Sequence, residues 1–289
     1  MKPVPSLLLA LSLMLPSASP AGELCVQHVD GKPFCIERPA QRIVSLAPHL
    51  TEMLFAIGAP VVGVVDRSDY PPEARALPGI GPYHSPDLER LMQLRPDLVV
   101  AWQSGTPAAQ VERLRGLGLA VWITRGTQLE DVPNEMRDLG RLTGRQSAAE
   151  PAAAAFEREL GELTARHAHV RKVSGFYEIW PQPLVTVSDR HFIGQAMARC
   201  GIRNIVGDTL GDTPTWSEEA VVRARPEMLL TSPPARDFER WRRWSDLPAV
   251  RNDALIVLPA DVLMRPGPRL IEGIRALCEA ADRQRKDRP

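Results

Sequence analysis

Two stretches of this chain, residues 89–100 and 219–230, follow the same pattern in the same order. Each opens a short helix with a glutamate, ends it at an Arg-Pro pair and continues into an apolar run that is typical of a buried parallel strand. A repeated unit of this kind indicates a chain built from two related halves, whose ligand would lie in a cleft between them. The alternative is a coincidence between two βα units of one ordinary sheet.

Apolar β-branched runs alternate with helical patterns along both halves, which predicts parallel sheets covered by helices. Helix breakers such as Gly58, Pro96 and Gly118 stand where the first helices should end. In the first half the strands are expected at 43–46, 61–65, 98–102 and 120–123, and the helices at 51–57, 87–94 and 108–117. In the second half the strands are expected at 173–179, 228–231 and 255–258, and the helices at 193–199, 218–223 and 269–281.

A single long helix separates the two halves. Residues 147–169 are rich in Ala, Glu and Arg, with Pro151 near the start and Gly161 as the one turn-favouring residue after it. The predicted fold is therefore α/β, with two Rossmann-like lobes of parallel sheets joined by one backbone helix. We divide the chain into a signal peptide (1–21), an N-terminal lobe (22–145), a connecting helix (146–170) and a C-terminal lobe (171–289).

The N-terminus has the pattern of a secretory signal. Lys2 precedes an apolar run over residues 7–15, and Ser19-Pro20-Ala21 offers the small residues of a cleavage site. The run is too short to cross a bilayer, and Cys25 lacks the small preceding residue that lipid attachment needs. The sequence predicts an exported periplasmic protein with no membrane anchor.

The four cysteines all lie beyond the signal, as expected in an oxidising compartment. Cys25 and Cys35 flank Asp30-Gly31, a hairpin-turn dipeptide, so they are expected to face each other across a β-hairpin. Cys200 and Cys278 then remain as the second pair. Four free thiols are the alternative, and the spacings do not match a structural zinc site.

The charges balance, with 35 Lys and Arg against 35 Asp and Glu, so nothing in the net field favours nucleic acid. The common nucleophile, phosphate-binding and zinc-protease motifs are absent from the sequence, which argues against an enzyme; a periplasmic enzyme remains an alternative. The histidines are scattered, although His49, His84 and His191 fall in predicted loops that could face the cleft. We expect no cofactor and no structural metal.

Aromatic residues are few, yet several follow predicted strands and so would line the cleft between the lobes. A large, flat, partly apolar ligand such as a corrin or a porphyrin would be held there by ring stacking and apolar contact. Each ring taken singly could equally pack in a core or a loop. The residues are Tyr70, Tyr83, Trp102, Trp180 and Trp216.

Together these segments resemble the periplasmic cobalamin-binding proteins of vitamin uptake systems, over nearly the whole mature chain. The class also carries haem, ferric siderophores and metal ions. The resemblance implies a receptor that binds a corrinoid between two lobes and delivers it to an ATP-driven importer. It rests on the motifs Arg42-Ile-Val-Ser-Leu-Ala-Pro48 with Thr51-Glu52, Ser68-Asp-Tyr-Pro-Pro72, Leu88-Glu-Arg90, Arg95-Pro-Asp-Leu-Val-Val-Ala-Trp102 and Cys200-Gly with Asn204.

The resemblance also implies roles for single residues. Glu89 and Glu219 match two acidic residues that dock on arginines of a dimeric permease, and Cys200 and Cys278 match a disulfide. Matches to ligand-contacting positions are Pro48, Tyr70, Tyr83, Trp102, Asp261 and Arg265.

Two positions depart from the family pattern. Thr213 stands where the best-known members have a cleft Trp, with Trp216 three residues later, and Tyr83 replaces another Trp. Haem receptors of the class use a nearby Tyr as an iron ligand, so haem or a ferric siderophore is the alternative ligand. The expected protein is a monomer that captures cobalamin, performs no catalysis and binds no nucleic acid.

Overall fold

The computed structural model describes residues 23–235 and 237–286, so the predicted signal peptide lies outside the described residues. The described chain begins with an antiparallel hairpin of β1 (Leu24–Gln27) and β2 (Pro33–Ile36). Cys25 and Cys35 are directly opposite in its register and form a disulfide. Gly31 occupies the turn with φ of 79°, a conformation that glycine adopts without strain.

The N-terminal lobe is a four-stranded parallel sheet in the order β4-β3-β5-β6. Its first strand, β3, is fully buried and leads within three residues into the first helix, α1. The strands are β3 (Ile43–Ser45), β4 (Val61–Val64), β5 (Leu98–Trp102) and β6 (Val121–Thr124); the helices are α1 (Pro48–Ala56), α2 (Leu88–Gln93), α3 (Ala108–Gly116) and α4 (Asp131–Thr143), with a 3₁₀ turn at Pro72–Ala76.

The connecting helix α5 (Gln146–His167) carries Pro151 inside its second turn. It packs along α4, where Gly140 lies so close that a Cβ on it would come within 2.4 Å of the Ala149 Cβ. One continuous hydrophobic core runs from the N-terminal sheet through the inner face of α5 into the C-terminal lobe. The long helix is therefore part of the core that joins the lobes.

The C-terminal lobe is a five-stranded sheet in the order β11-β10-β7-β8, with β9 also paired to β7. All pairings are parallel except that of β8. The strands are β7 (Val173–Pro181), β8 (Leu184–Thr186), β9 (Ile202–Asn204), β10 (Met228–Thr231) and β11 (Leu255–Val257); the helices are α6 (Phe192–Arg199), α7 (Glu218–Ala224), α8 (Pro248–Arg251), α9 (Ala260–Leu263) and α10 (Leu270–Lys286), with a 3₁₀ turn at Phe238–Arg243. The predicted fold class is confirmed; the exact lobe boundaries stay a prediction.

The repeat in the sequence is also a repeat in the structure. After α2 and after α7 the chain turns through an arginine in the left-handed region, Arg95 with φ of 45° and Arg225 with φ of 49°. The acidic residue two positions later then binds the start of the neighbouring strand: Asp97 accepts from the Arg42 N–H at 2.8 Å and Glu227 from the Ser174 N–H at 2.7 Å. The two lobes thus share one βα unit in detail.

The second disulfide joins Cys200, at the end of α6, to Cys278 in α10 and so fastens the last helix to its own lobe. Both pairings predicted from the sequence are present. Within the described residues, no helix is at once long and apolar enough to cross a membrane.

Candidate functional site

Six of the nine predicted ligand-binding residues gather where the N-terminus of α1 faces the chain after β11. Pro48 is the first residue of α1, Trp102 is the last residue of β5, and Asp261 lies in the first turn of α9. Parallel strands direct their carboxyl ends to one edge, so these segments gather at the position where α/β folds bind ligands. We call this contact between residues 48–52 and residues 265–269 the interlobe seam.

A cluster of charged side chains crosses the seam. Glu52 of α1 is buried, yet its carboxylate accepts two hydrogen bonds from Arg269, at 2.7 and 2.9 Å, and one from Arg265 at 3.2 Å. Arg265 also donates to Asp69 at 2.8 Å, and Arg269 contacts Asp261 at 3.4 Å. We call these five residues the interlobe ion cluster. Two arginines of the C-terminal lobe thus neutralise one buried carboxylate of the N-terminal lobe.

The Tyr70 ring is held by the same cluster. Its face lies 3.7 Å from the Arg269 guanidinium carbon, a cation–π contact, and 41% of the residue stays exposed. Arg265 donates to the backbone carbonyl of Arg67 at 3.2 Å, which fixes the loop that carries Tyr70. The arginines therefore hold this exposed ring from the opposite lobe.

A second set of rings lies beside the first. His49 stands edge-on to Trp102, with ring centroids 5.1 Å apart. Trp102 and the half-exposed Tyr83 both lie against Gly105, where a Cβ would come within 2.6 Å of Trp102 and 3.5 Å of Tyr83. Pro266 reaches across from the C-terminal lobe to Gly126, next to Trp102. The rings form a partly apolar wall on the N-terminal side of the seam.

His49 lies at the foot of that wall, in the first turn of α1 and not in a loop as the sequence analysis expected. The residue is buried, and its backbone lies against Gly267, where a Cβ would come within 3.4 Å of the His49 Cβ and carbonyl oxygen. Burial, with the nearby Arg265 charge, lowers the pKa of His49 to about 3, so the imidazole is neutral at physiological pH.

The C-terminal aromatic residues occupy different settings. Trp180 is 47% exposed near the end of β7, and its indole N–H donates to the Gln182 carbonyl. Trp216 is half-buried and packs on Phe176, with ring centroids 6.0 Å apart, inside its own lobe. Thr213 is exposed in the loop that leads to Trp216. The structure brings the N-terminal candidates together with Asp261 and Arg265, but the contacts of Trp216 are those of a packing residue.

The two candidate docking residues lie at the starts of equivalent helices. Glu89, in the first turn of α2, is exposed and accepts a long hydrogen bond from Gln93 at 3.4 Å. Glu219, in the first turn of α7, is exposed, and its own backbone N–H and the Ser217 hydroxyl lower the pKa of its carboxyl. Its neighbour Glu218 is instead bound by Arg240 and Arg243. Each lobe therefore presents one accessible carboxylate at the same point of the repeat.

Among the described ranges 23–235 and 237–286, one group of potential metal ligands lies close together, and it consists of Glu23, Cys25 and Cys35. Because the two sulfurs form a disulfide, no thiolate is available there. This group offers no metal site.

Sequence patterns assign no role to three residues of the seam. Glu52 belongs to a family motif but carries no predicted function, Arg269 falls inside a predicted helix, and Pro266 is an ordinary loop residue. The pairing of Glu52 with distant arginines and the approach of Pro266 to Gly126 both depend on the tertiary structure.

The chain is similar to one protein family and to several named relatives. The family model described as "Periplasmic binding protein" matches residues 43–262. A protein of Vibrio parahaemolyticus named "Vitamin B12-binding protein" is 36% identical over 245 residues, 83% of this chain and 89% of the relative. A protein of the same name from Pectobacterium atrosepticum is 31% identical over 249 residues, 82% and 87% of the two chains.

Solved structures agree with the fold. The periplasmic vitamin B12 binding protein BtuF of Vibrio cholerae superposes with a TM-score of 0.78 and 31% identity, covering 86% of this chain and 99% of that one. The periplasmic heme-binding protein RhuT from Roseiflexus sp. RS-1 superposes with a TM-score of 0.76 and 24% identity, covering 85% and 99%. At that identity the second likeness concerns the fold alone.

Proposed function

The chain belongs to the periplasmic binding protein family, and we propose that it captures cobalamin or a related corrinoid between its lobes and delivers it to an ABC transporter. The protein works in the periplasm as a solute-binding protein. The relatives that share 30% or more of its residues over most of its length bear the name of vitamin B12-binding proteins.

The observation that carries the proposal is the meeting of rings and charges from both lobes at the seam. Tyr70, Tyr83 and Trp102 offer partly exposed aromatic surface, which suits the flat, apolar faces of a corrin. Asp261 and Arg265 face them from the other lobe and can bind the polar amide groups at the edge of such a ring. Pro48 lies half-buried at the start of α1 and completes the N-terminal side.

The same contacts favour binding over catalysis. The carboxylates at the seam are engaged by arginines, and burial keeps His49 neutral. Groups fixed in mutual ion pairs are poorly placed to transfer protons to a substrate. We therefore propose that the protein performs no reaction and releases its ligand unchanged, which a turnover assay on bound cyanocobalamin would test.

Haem is the second candidate ligand, and the residue that favours it is Tyr83. Tyr83 is 46% exposed beside Trp102, which makes its phenol a candidate ligand for a haem iron. Tyrosine is an established axial ligand of haem iron.

A pair of titrations tests the proposal. Cyanocobalamin, followed by calorimetry, should bind the mature protein with a Kd below about 1 μM, or about −8 kcal/mol. Haemin, followed by absorption, should give no new Soret band if corrinoid is the ligand. Absence of heat with cyanocobalamin, together with a tyrosinate-type haemin spectrum, would transfer the assignment to haem.

We also propose that Glu89 and Glu219 dock the protein, as a monomer, on a permease formed from two equivalent subunits. One accessible carboxylate on each lobe, at equivalent positions of the repeat, can bind one basic site on each subunit. A carboxylate in the first turn of a helix also stabilises the helix dipole, so a purely structural role is the competing explanation.

Changing both residues to Ala separates these explanations. The double variant should bind cyanocobalamin as the wild type does but fail to stimulate ATP hydrolysis by the reconstituted transporter, with each single variant intermediate. Glu112→Ala with Glu272→Ala is a matched control, because both are exposed helix carboxylates, one on each lobe. Full stimulation by the Glu89/Glu219 variant would show that these carboxylates serve only their helices.

A further inference from the structure

Helix α4 places carboxylates against the loop that follows β6. Glu135 is buried, and its Oε1 accepts hydrogen bonds from the backbone N–H groups of Arg125 and Gly126, both at 2.9 Å. Asp131, one turn earlier on α4, accepts from the next two N–H groups, those of Thr127 and Gln128, also at 2.9 Å. Four consecutive backbone donors of this loop are therefore bound by two carboxylates.

This loop in turn holds the indole of Trp102. The Trp102 Nε1–H donates to the Arg125 carbonyl at 3.0 Å. Gly126 adopts φ of 58°, and a Cβ there would lie 3.0 Å from Trp102 Nε1 and 3.4 Å from Pro266 Cγ. The loop is thus packed between the indole and the C-terminal lobe, and a displacement of its backbone must move Trp102.

We propose that Glu135 is a positioning residue, which fixes the backbone of Arg125 and Gly126 and through it the Trp102 ring at the ligand-facing wall. The effect of Glu135 on ligand binding rests on the proposed function, whereas its hydrogen bonds to the loop do not depend on that function. Glu135 itself is buried behind the loop, and we assign it no contact with the ligand.

The protonation state of Glu135 matters for this role. Its second oxygen, Oε2, has no hydrogen-bond partner among the described residues. Burial, and next the charge of Asp131, raises the pKa of Glu135 to about 8. The protonated acid leaves Oε1 as a neutral acceptor for both N–H groups, whereas ionisation leaves an unpartnered charge on Oε2. We expect the ionised form to draw water from the adjoining cavity of about 170 Å³ and loosen the loop.

Other charged groups surround Glu135, but the nearest are acidic and favour its proton. Asp131 and Asp138 share its helix. Glu150 and Glu157 of α5 are engaged by Arg137, Glu52 of α1 is bound by arginines, and His49 is neutral. The charged and titratable groups of the elements packed around it include His28 and Asp30 of the hairpin, Arg125 of the loop, Asp131, Arg137, Asp138 and Arg141 of α4, His49 and Glu52 of α1, and Arg145, Glu150 and Glu157 at α5.

The direct test is the indole N–H resonance of Trp102, assigned by its loss in Trp102→Phe, followed from pH 6 to 9 by NMR without ligand. In the wild type it should shift with a midpoint near the pKa of Glu135, about 8. In Glu135→Gln, whose amide oxygen can still accept both N–H groups, the shift should vanish. Asp138→Asn is the matched control, because Asp138 lines the same cavity and receives no hydrogen bond from the loop. Its Trp102 resonance should still titrate, with a midpoint below that of the wild type because the Asp138 charge that raises the pKa of Glu135 is gone.

Ligand binding gives the second measurement. If only the protonated form holds Trp102 in place, cyanocobalamin should bind about tenfold more weakly at pH 9 than at pH 7. The reason is that Glu135 keeps its proton in about a tenth of the molecules at pH 9 and in most of them at pH 7. Glu135→Gln should bind with no such decline, and Glu135→Ala more weakly at every pH.

The outcomes separate the two proposals. Failure of the wild type to bind cyanocobalamin would remove the proposed function, while the resonance would still decide the role of Glu135. A Trp102 resonance that titrates identically in wild type and Glu135→Gln would refute the positioning role. A Trp102 resonance whose chemical shift at pH 6 is the same in Glu135→Ala as in the wild type would refute it as well.

Discussion

Removing the Glu52 carboxylate should destabilise the whole protein, because among the described residues it is the acid that both seam arginines share. The side chain is 2% exposed and receives three hydrogen bonds, a bidentate pair from Arg269 and one from Arg265. Glu52→Ala would leave two guanidinium groups, 13% and 17% exposed, without their main partner. Arg265 keeps Asp69 and Arg269 keeps Asp261, which offsets part of the loss.

The size of the effect follows from the burial. Breaking a buried ion pair by deleting one partner costs about 3–5 kcal/mol, and the remaining exposure of the arginines places this case near 3 kcal/mol. At about 2 °C per kcal/mol for a chain of this size, the melting temperature should fall by about 6 °C. Glu52→Gln, which keeps the shape of the side chain and one acceptor oxygen, should lose less stability than Glu52→Ala.

Urea unfolding of Glu52→Ala, Arg269→Ala and the double variant measures the interaction directly. The summed losses of unfolding free energy in the two single variants should exceed the loss in the double variant by about 1–3 kcal/mol, which is the coupling energy. Glu159→Ala is the control, because it breaks the exposed Arg275–Glu159 pair between α10 and α5 and should cost under about 0.5 kcal/mol. A Glu52→Ala variant as stable as this control would refute the account of the seam.

Two further predictions concern stability. Because the pKa of Glu135 is raised to about 8, the folded protein holds a proton that the unfolded chain releases above its ordinary pKa of 4.5. This group therefore lowers the free energy of unfolding by about 1.4 kcal/mol per pH unit as pH rises between those values. Glu135→Gln should remove that decline in urea titrations at pH 5 to 8, and a variant with the wild-type slope would contradict the assignment. Cys278→Ser should lower stability by about 2–5 kcal/mol and leave cyanocobalamin binding unchanged. Thiol labelling of the denatured, unreduced wild type should find no free cysteine, and labelling at Cys278 would count against the bond to Cys200.

Most of the sheets could be predicted from the sequence because their strands are continuous apolar runs. Residues 98–102 and 228–231 are almost wholly buried and lie in the strands that the pattern predicts. The Arg-Pro stops were equally informative, since Arg95 and Arg225 turn the chain in the same left-handed conformation. Local signals fix these elements, so no tertiary information is needed to find them.

Helix α4 was not predicted, although its apolar residues have helical spacing. Pro133, Asn134 and Gly140 are weak helix formers that weaken the pattern. Tertiary contact decides the matter, because Gly140 allows α4 to approach α5 to a distance that no larger residue would permit. Missing this helix also meant missing Glu135.

The seam itself could be predicted only in part. Tyr70 and Trp102 lie in family motifs, and Arg265 matches a position implied by the family resemblance. The sharing of Glu52 by two arginines depends instead on how the lobes meet. Trp216 illustrates a second limit of sequence-based prediction. Its position after a strand resembles that of a cleft residue, but its ring packs on Phe176 in the lobe core. Sequence spacing reports where a residue lies along the chain, and packing decides which way its side chain points.

The most direct test of the central claim is a crystal structure of the mature protein grown with cyanocobalamin. The account predicts that the corrin lies between the lobes, with Tyr70 and Trp102 against it on the N-terminal side and Asp261 and Arg265 at its polar edge on the other. A corrin bound outside the seam, for example in the groove between the hairpin and α4, would contradict it.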